Sequence, residues 1–215
     1  MIKKILKMLF PTSCTMCGKI CNTWICPKCY VLLKKNLKFY SINEKGYILY
    51  FLSFYEGTIR NLLLSFKFKE KAYIGNLFVE LLTKNRKFTE KIKEYDCIIS
   101  VPMYKKNKAR RGYNQTEVIA DQLEKTLKIK HLKKCLIKIK QNQKQSTLTE
   151  KQRIENVKNV YKLENKNEIY NKKILLLDDI YTTGSTVKAC VDELKEGKPQ
   201  KIDVLVIAKR NQRKE

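Results

Sequence analysis

Apolar positions recur along this chain in two rhythms. Residues 57–69 carry Ile59, Leu62, Leu63 and Phe66 at helical spacing. The same period predicts helices over 74–82, over 117–127 with Val118, Ile119 and Leu123 on one face, and over 186–195 with Val187, Cys190, Val191 and Leu194. Short apolar runs at 51–55, 95–101, 136–140, 173–177 and 202–208 predict strands, and 149–160 reads as a helix or turn. Residues 31–45 form a Lys- and Asn-rich connector with some helical pattern. Strands that alternate with helices predict an α/β fold, a mostly parallel sheet flanked by helices.

The run Ile174 to Leu177 reads as a strand buried on both faces, and two acids, Asp178 and Asp179, stand at its carboxyl end. Open α/β sheets bind ligands at that end. Carboxylates there accept hydrogen bonds from vicinal hydroxyls or help to hold a divalent cation. Thr182, Thr183, Gly184, Ser185 and Thr186 follow, with hydroxyls, backbone N–H groups and a glycine that allows close approach. They lead into a helix N-terminus, which attracts phosphate. Ribose hydroxyls on the acids and a 5′-phosphate in the loop make one site. The competing interpretation is a buried strand followed by a solvated turn, which does not require this order of acids and threonines.

A second strand-end loop begins at Ser100-Val101-Pro102-Met103, placed where it should meet the ligand. The basic stretch Lys105, Lys106, Lys108, Arg110, Arg111 runs into Gly112-Tyr113-Asn114-Gln115. The lysines read as solvated surface. Arg110 and Arg111, with Asn114 and Gln115, read as phosphate ligands, since arginine offers a planar fork to phosphate oxygens. Residues 145–149, with Arg153 and Asn156, are a candidate flap, and Arg153 reads equally as surface. His131, the single histidine, reads as a surface residue away from every motif, which argues against a Ser-His-Asp site.

Cys14-x2-Cys17 and Cys26-x2-Cys29 form two knuckles with eight residues between them, and Cys21 lies between the pairs. Four thiolates at this spacing suit a tetrahedral structural zinc, with Cys21 as the spare. Redox Cys-x2-Cys chemistry is the minority interpretation, because no thioredoxin-like βαβ pattern surrounds them. Cys97, Cys135 and Cys190 sit on apolar patterns and read as buried small hydrophobes.

With 215 residues the chain has room for one α/β domain and a small appendage. Forty-six Lys and Arg against 21 Asp and Glu give a net charge of +25. Such a charge favours nucleic acid, nucleotides or anionic surfaces, and a Lys-rich coding bias produces it equally well. No apolar run reaches the roughly 18 residues of a membrane span. The start, with Ile2, Ile5, Leu6 and Leu9, reads as a short amphipathic helix and not a signal peptide. The expected compartment is cytoplasmic, where thiols stay reduced.

Residues 174–186 resemble the phosphoribosyl-diphosphate (PRPP) signature of type I phosphoribosyltransferases. Nearly the whole chain resembles the ComF family, through Phe10-Pro11, the two cysteine knuckles, Val101-Pro102, Arg111-Gly112-Tyr113-Asn114-Gln115, Thr147-Leu148-Thr149 with Arg153 and Asn156-Val157, and Leu177-Asp178-Asp179 through Thr186. The resemblance implies a zinc-ribbon-like module with four cysteine ligands over 1–45, on a type I phosphoribosyltransferase-like domain over 46–215. It implies PRPP or a phosphorylated ribose as ligand, with Mg²⁺, and a role in DNA uptake during natural competence. It also implies that backbone N–H groups near Val101 bind an anion. Single-stranded DNA and a DNA-translocating, helicase-like partner are the implied macromolecules. A non-catalytic DNA- or partner-binding module and a nucleotide-salvage transferase are the alternatives. Thr182 stands where 6-oxopurine salvage enzymes carry an acid, and the usual large hood domain is missing unless the zinc module replaces it, so the acceptor is open.

Overall fold

The computed structural model describes residues 13–35, 37–44, 46–68, 71–140 and 160–211. The amphipathic start and the candidate flap at 145–156 lie outside them. Helix α1 (Pro27–Lys35) follows the cysteine knuckles. Strands β1 (Tyr40–Glu44) and β2 (Tyr47–Phe54) form an antiparallel hairpin. Next come α2 (Gly57–Phe68), α3 (Ile74–Thr83), α4 (Arg86–Ile92), β3 (Cys97–Ser100), α5 (Lys105–Arg111), α6 (Gln115–Leu127) and β4 (Lys130–His131). Strands β5 (Leu136–Lys138) and β6 (Tyr161–Leu163) pair only with each other. The described chain ends with β7 (Lys173–Tyr181), α7 (Ser185–Lys195) and β8 (Lys201–Lys209).

The main sheet has the order β1-β2-β8-β7-β3-β4 and is parallel except for the β1–β2 pair. The mostly parallel sheet expected from the sequence is therefore present. It begins at Tyr40, inside the expected connector, because Tyr40 and Ile42 pack beside Phe51 and Phe54 on one face of the hairpin. Strands β7 and β8 are central and buried along almost their whole length.

Alternation along β7 divides the core in two. Leu175 and Leu177 face α2, α3 and α6, whereas Ile174 and Leu176 face α7 and the β5–β6 hairpin. Helices α3 and α6 approach closely at Gly75, where a Cβ would lie 2.7 Å from Val118. The cysteine module joins the first of these layers. Trp24 stacks on Tyr73 at 3.8 Å, and Tyr30 donates to Glu80 on α3 at 3.1 Å. Cys97, Cys135 and Cys190 are buried, as their apolar surroundings in the sequence predict. Among the described residues no helix is long and apolar enough to cross a membrane.

Candidate functional site

The site exists because neighbouring strands end at different heights. β3 stops at Ser100, and the last bond across the pair runs from the Val101 amide to the Leu177 carbonyl, 2.9 Å. β7 and β8 run on together to the Tyr181–Lys209 pair. The expected strand ended at Leu177. The observed one continues through both acids, because β8 still supplies backbone partners there. The notch beside the end of β3 holds a cavity of about 350 Å³, lined by Asp178, Asp179, Lys67, Val101, Arg111, Thr182 and Thr186 among others.

Consecutive strand residues face opposite sides, so the two acids diverge. Asp179 points to the α2 and α6 side, where Lys67 Nζ lies 2.8 Å from its Oδ2. Asp178 points to the α7 side, and its Oδ1 accepts the Asp179 amide at 2.8 Å. Burial, then the neighbouring Asp179 charge, pushes the Asp178 carboxyl up to about 7. Lys138 from β5 lines the same cavity, and burial pulls its ammonium below the usual lysine range. The remaining buried acid among the described residues is Asp203. It accepts the Ile48 amide at 2.8 Å, Lys201 Nζ at 2.7 Å and the Tyr95 hydroxyl, which ties β8 to β2 and to the entry of β3. Asp203 takes three donors from the fold, whereas Asp179 has Lys67 and Asp178 the Asp179 amide, and both of these acids line the notch.

The threonine-rich loop forms the turn from β7 into α7. Gly184 has φ +77°, and a Cβ there would lie 2.3 Å from the Tyr181 hydroxyl, so only glycine fits. The first amides of α7 have no partner within the helix and offer donors to an anion. Thr182 and Thr186 line the cavity. Thr183 and Ser185 are 3.0 Å apart through their hydroxyls and, with Gly184, shape the turn outside that lining.

The second predicted loop closes the other side. Val101 and Arg111 line the cavity, and Arg110, on the same short helix as Arg111, does not. Asn114 and Gln115 also line it, but their polar groups are already committed. Asn114 caps α6, accepting from the Thr116 amide at 3.3 Å and hydroxyl at 2.8 Å, and its Nδ2 donates to the Val101 carbonyl at 3.1 Å. Gln115 accepts from Arg111 Nη1 at 2.8 Å, which aims the guanidinium. Arg153 lies outside the described residues.

His131 is not the surface residue expected from its basic neighbourhood. It sits in β4, and its side chain is fully buried. Its Nε2 is 3.0 Å from Ser100 Oγ, and its Nδ1 is 2.7 Å from Asp121 Oδ1. This array ties β3, β4 and α6 together beside the cavity. Ser100 is buried and does not line the cavity, and Asp121 also pairs with Lys133 at 2.8 Å, so the array is a structural tie.

Lys67, Lys138 and Tyr161 are cavity residues that sequence reasoning missed. Nothing in the pattern separates those two lysines from the other basic residues. Only the pairing of β5 with β6 and the docking of α2 bring them to the acids.

Apart from this cavity, the Sγ atoms of Cys14, Cys17, Cys26 and Cys29 all lie within 4.8 Å of one another. The Cys17 and Cys26 sulfurs are 3.9 Å apart, and a tetrahedral zinc with bonds of about 2.3 Å requires edges of about 3.8 Å. Burial and the surrounding sulfurs push the Cys29 thiol up to about 12, whereas at Cys14 burial is outweighed by hydrogen bonds from the Cys26, Cys17 and Met16 backbone, which bring the thiol down to about 6; a cation among the sulfurs would let all four ionise. The cluster is compatible with structural zinc. Cys21 stands outside it and donates to the Thr23 carbonyl at 2.8 Å.

The raised Asp178 carboxyl makes stability pH-dependent. Between about pH 4 and pH 7 the folded chain holds a proton there that the unfolded chain has released, so stability falls as pH rises through this window. Asp178→Asn removes the penalty. Thermal melts are expected to show the variant several degrees more stable than the parent at about pH 8 and little changed at about pH 4. Equal shifts at both pH values would count against a buried, proton-holding Asp178.

Residues 109–215 match the phosphoribosyl transferase domain family model. Competence protein F of Haemophilus influenzae is 33% identical over 152 residues, 69% of this chain and 66% of that protein. The DNA utilization protein YhgH of Escherichia coli K12 is 28% identical over 138 residues, 62% of this chain and 59% of that protein. The chain thus spans about two thirds or less of the length of these relatives. Adenine phosphoribosyltransferase from Thermoanaerobacter pseudethanolicus aligns over 83% of this chain and 98% of its own, at 13% identity and a TM-score of 0.41. On the family model and the sequence relatives, the chain belongs to the ComF-like proteins and carries a phosphoribosyltransferase-type fold.

Proposed function

We propose that the notch beside β3 binds PRPP or a related phosphorylated ribose, and that the protein serves DNA uptake in the cytoplasm. One observation carries the ligand: two carboxylates, the start of α7 and the loop after β3 all line a single cavity. Asp178 and Asp179 take the ribose hydroxyls. Thr182, Thr186 and the first amides of α7 take the 5′-phosphate. The Val101 backbone and Arg111 take the 1-diphosphate.

If the site is catalytic, the bond from C1′ to the diphosphate oxygen breaks, and an acceptor nucleophile bonds to C1′. The diphosphate leaves with the bonding electrons. Positive charge develops on the sugar ring, and an ionised carboxylate beside it stabilises that charge. Mg²⁺, when present, would neutralise part of the diphosphate charge beside these acids. Thr182 offers no carboxylate to a purine ring, so the acid that 6-oxopurine salvage enzymes carry is missing at this position and the acceptor is open.

DNA handling is supported by the names of the relatives and by the basic surface. Every residue of α5 lies outside the core, and Lys105, Lys106, Lys108 and Arg110 face solvent beside the mouth of the cavity. The four-cysteine module, holding zinc through Cys14, Cys17, Cys26 and Cys29, would brace α3.

Calorimetry is expected to show PRPP binding to the parent chain and none to the Asp178→Asn, Asp179→Asn double variant, whose melting transition persists. Unchanged affinity in that variant would refute the site. Freshly reduced protein is expected to carry one zinc per chain, and Cys17→Ser to lose most of it; metal analysis that finds the parent empty would exclude the metal. Single-stranded DNA binding should weaken steeply with added salt, as phosphate-dominated contacts do. Binding that ignores salt would remove the backbone-contact mode of recognition.

A further inference from the structure

Lys67 belongs to no motif of the chain, yet it makes the ion pair of the cavity. It projects from the last turn of α2, and its Nζ is 2.8 Å from Asp179 Oδ2, with both side chains mostly shielded from water. The residues on either side of it fix its place. The Phe66 carbonyl accepts from the Tyr113 hydroxyl and from Gln115 Nε2. The Phe68 ring lies 5.4 Å from the Arg111 guanidinium, which Gln115 also holds. The end of α2 is thereby registered against the turn that carries Arg111. Lys67 and Arg111 both line the cavity, and these neighbouring contacts place two cations at it.

The threonine-rich loop leads off to the other side, into α7. A ligand with a single phosphate on that loop would bring these two cations no anion besides Asp179. A ribose with a second anionic group at C1 would meet both cations. Lys67 offers three N–H donors, and Asp179 is its single ion-pair partner among the described residues, so donors remain for a ligand oxygen.

We propose that Lys67 is a specificity-determining residue that reads the 1-diphosphate of the sugar, sharing its ammonium between Asp179 and the ligand. The inference rests on the phosphorylated-ribose reading above and adds to it the group that separates PRPP from ribose 5-phosphate. Lys67 also holds the Asp179 carboxyl in place before a ligand binds, through the 2.8 Å contact between Nζ and Oδ2.

The test is calorimetric titration of the full chain with PRPP and, separately, with ribose 5-phosphate. Parent, Lys67→Met and Lys67→Arg proteins are compared, with thermal melts reporting folding. The ratio of the two affinities is expected to fall at least about tenfold in Lys67→Met, the scale of one lost charge-assisted hydrogen bond, and to recover in Lys67→Arg. A Lys67→Met protein that loses both ligands equally would make Lys67 a support for Asp179 alone and overturn the inference while the site stands. An unchanged ratio would overturn it too. A parent chain that binds neither sugar would sink the phosphorylated-ribose reading, and this inference with it. Should Lys67→Met fail to fold, Lys67→Arg and Lys67→Gln carry the same comparison.

Discussion

Two adjacent carboxylates at the end of a buried strand set the terms for everything around them. Charges removed from water must be neutralised, paired or left facing a ligand. Asp179 is paired with Lys67 from α2. Asp178 holds its proton up to about pH 7, because burial and its neighbour leave ionisation costly. Asp203, on the next strand, shows the other solution, with three donors from the fold itself. Asp178 and Asp179 are thus the buried acids that line the notch beside β3 among the described residues.

The backbone makes room for that arrival by letting β3 stop short. Its last residue, Ser100, is fixed to β4 and α6 through His131 and Asp121, so the end of the strand does not drift. Asn114 then ties the Val101 carbonyl to the start of α6. The loop after β3 is thus held at both ends, and Arg111 is aimed across the notch by Gln115. On the opposite side, Gly184 lets the turn into α7 pass over Tyr181. A rigid frame with converging donors is the arrangement that binding a small polyanion requires.

The cysteine module follows a different logic. It contributes Cys14, Ile25, Cys26, Cys29 and Leu33 to the same core layer as α2, α3 and α6. Its contact with the domain runs through Trp24 on Tyr73 and Tyr30 on Glu80. None of the four clustered cysteines lines the cavity, so the sulfur cluster and the carboxylate site are separate. The module instead supports the helix layer from which Lys67 projects.

Much of this is legible in the residue order. The apolar periods place the central strands and the helices α2, α3, α6 and α7, because burial on one or both faces writes itself into local spacing. The strand-acid-acid-threonine order and the cysteine spacing are likewise local, since one turn or one strand end carries each. Three further features are not local. β1 is hidden in a polar connector, because an edge strand buries only alternate residues. The two acids share no face, because β8 extends the strand beneath them. His131 is buried, because β4 adds to the edge of β3. Residue order alone thus names the acids, hydroxyls and thiols suited to a phosphorylated sugar and a metal. Long-range packing alone makes Lys67 answer Asp179 and turns Asn114 and Gln115 into supports that aim the loop and Arg111. Each of those arrangements joins segments that no short-range pattern couples, since the contacts form only once the helices dock on the sheet.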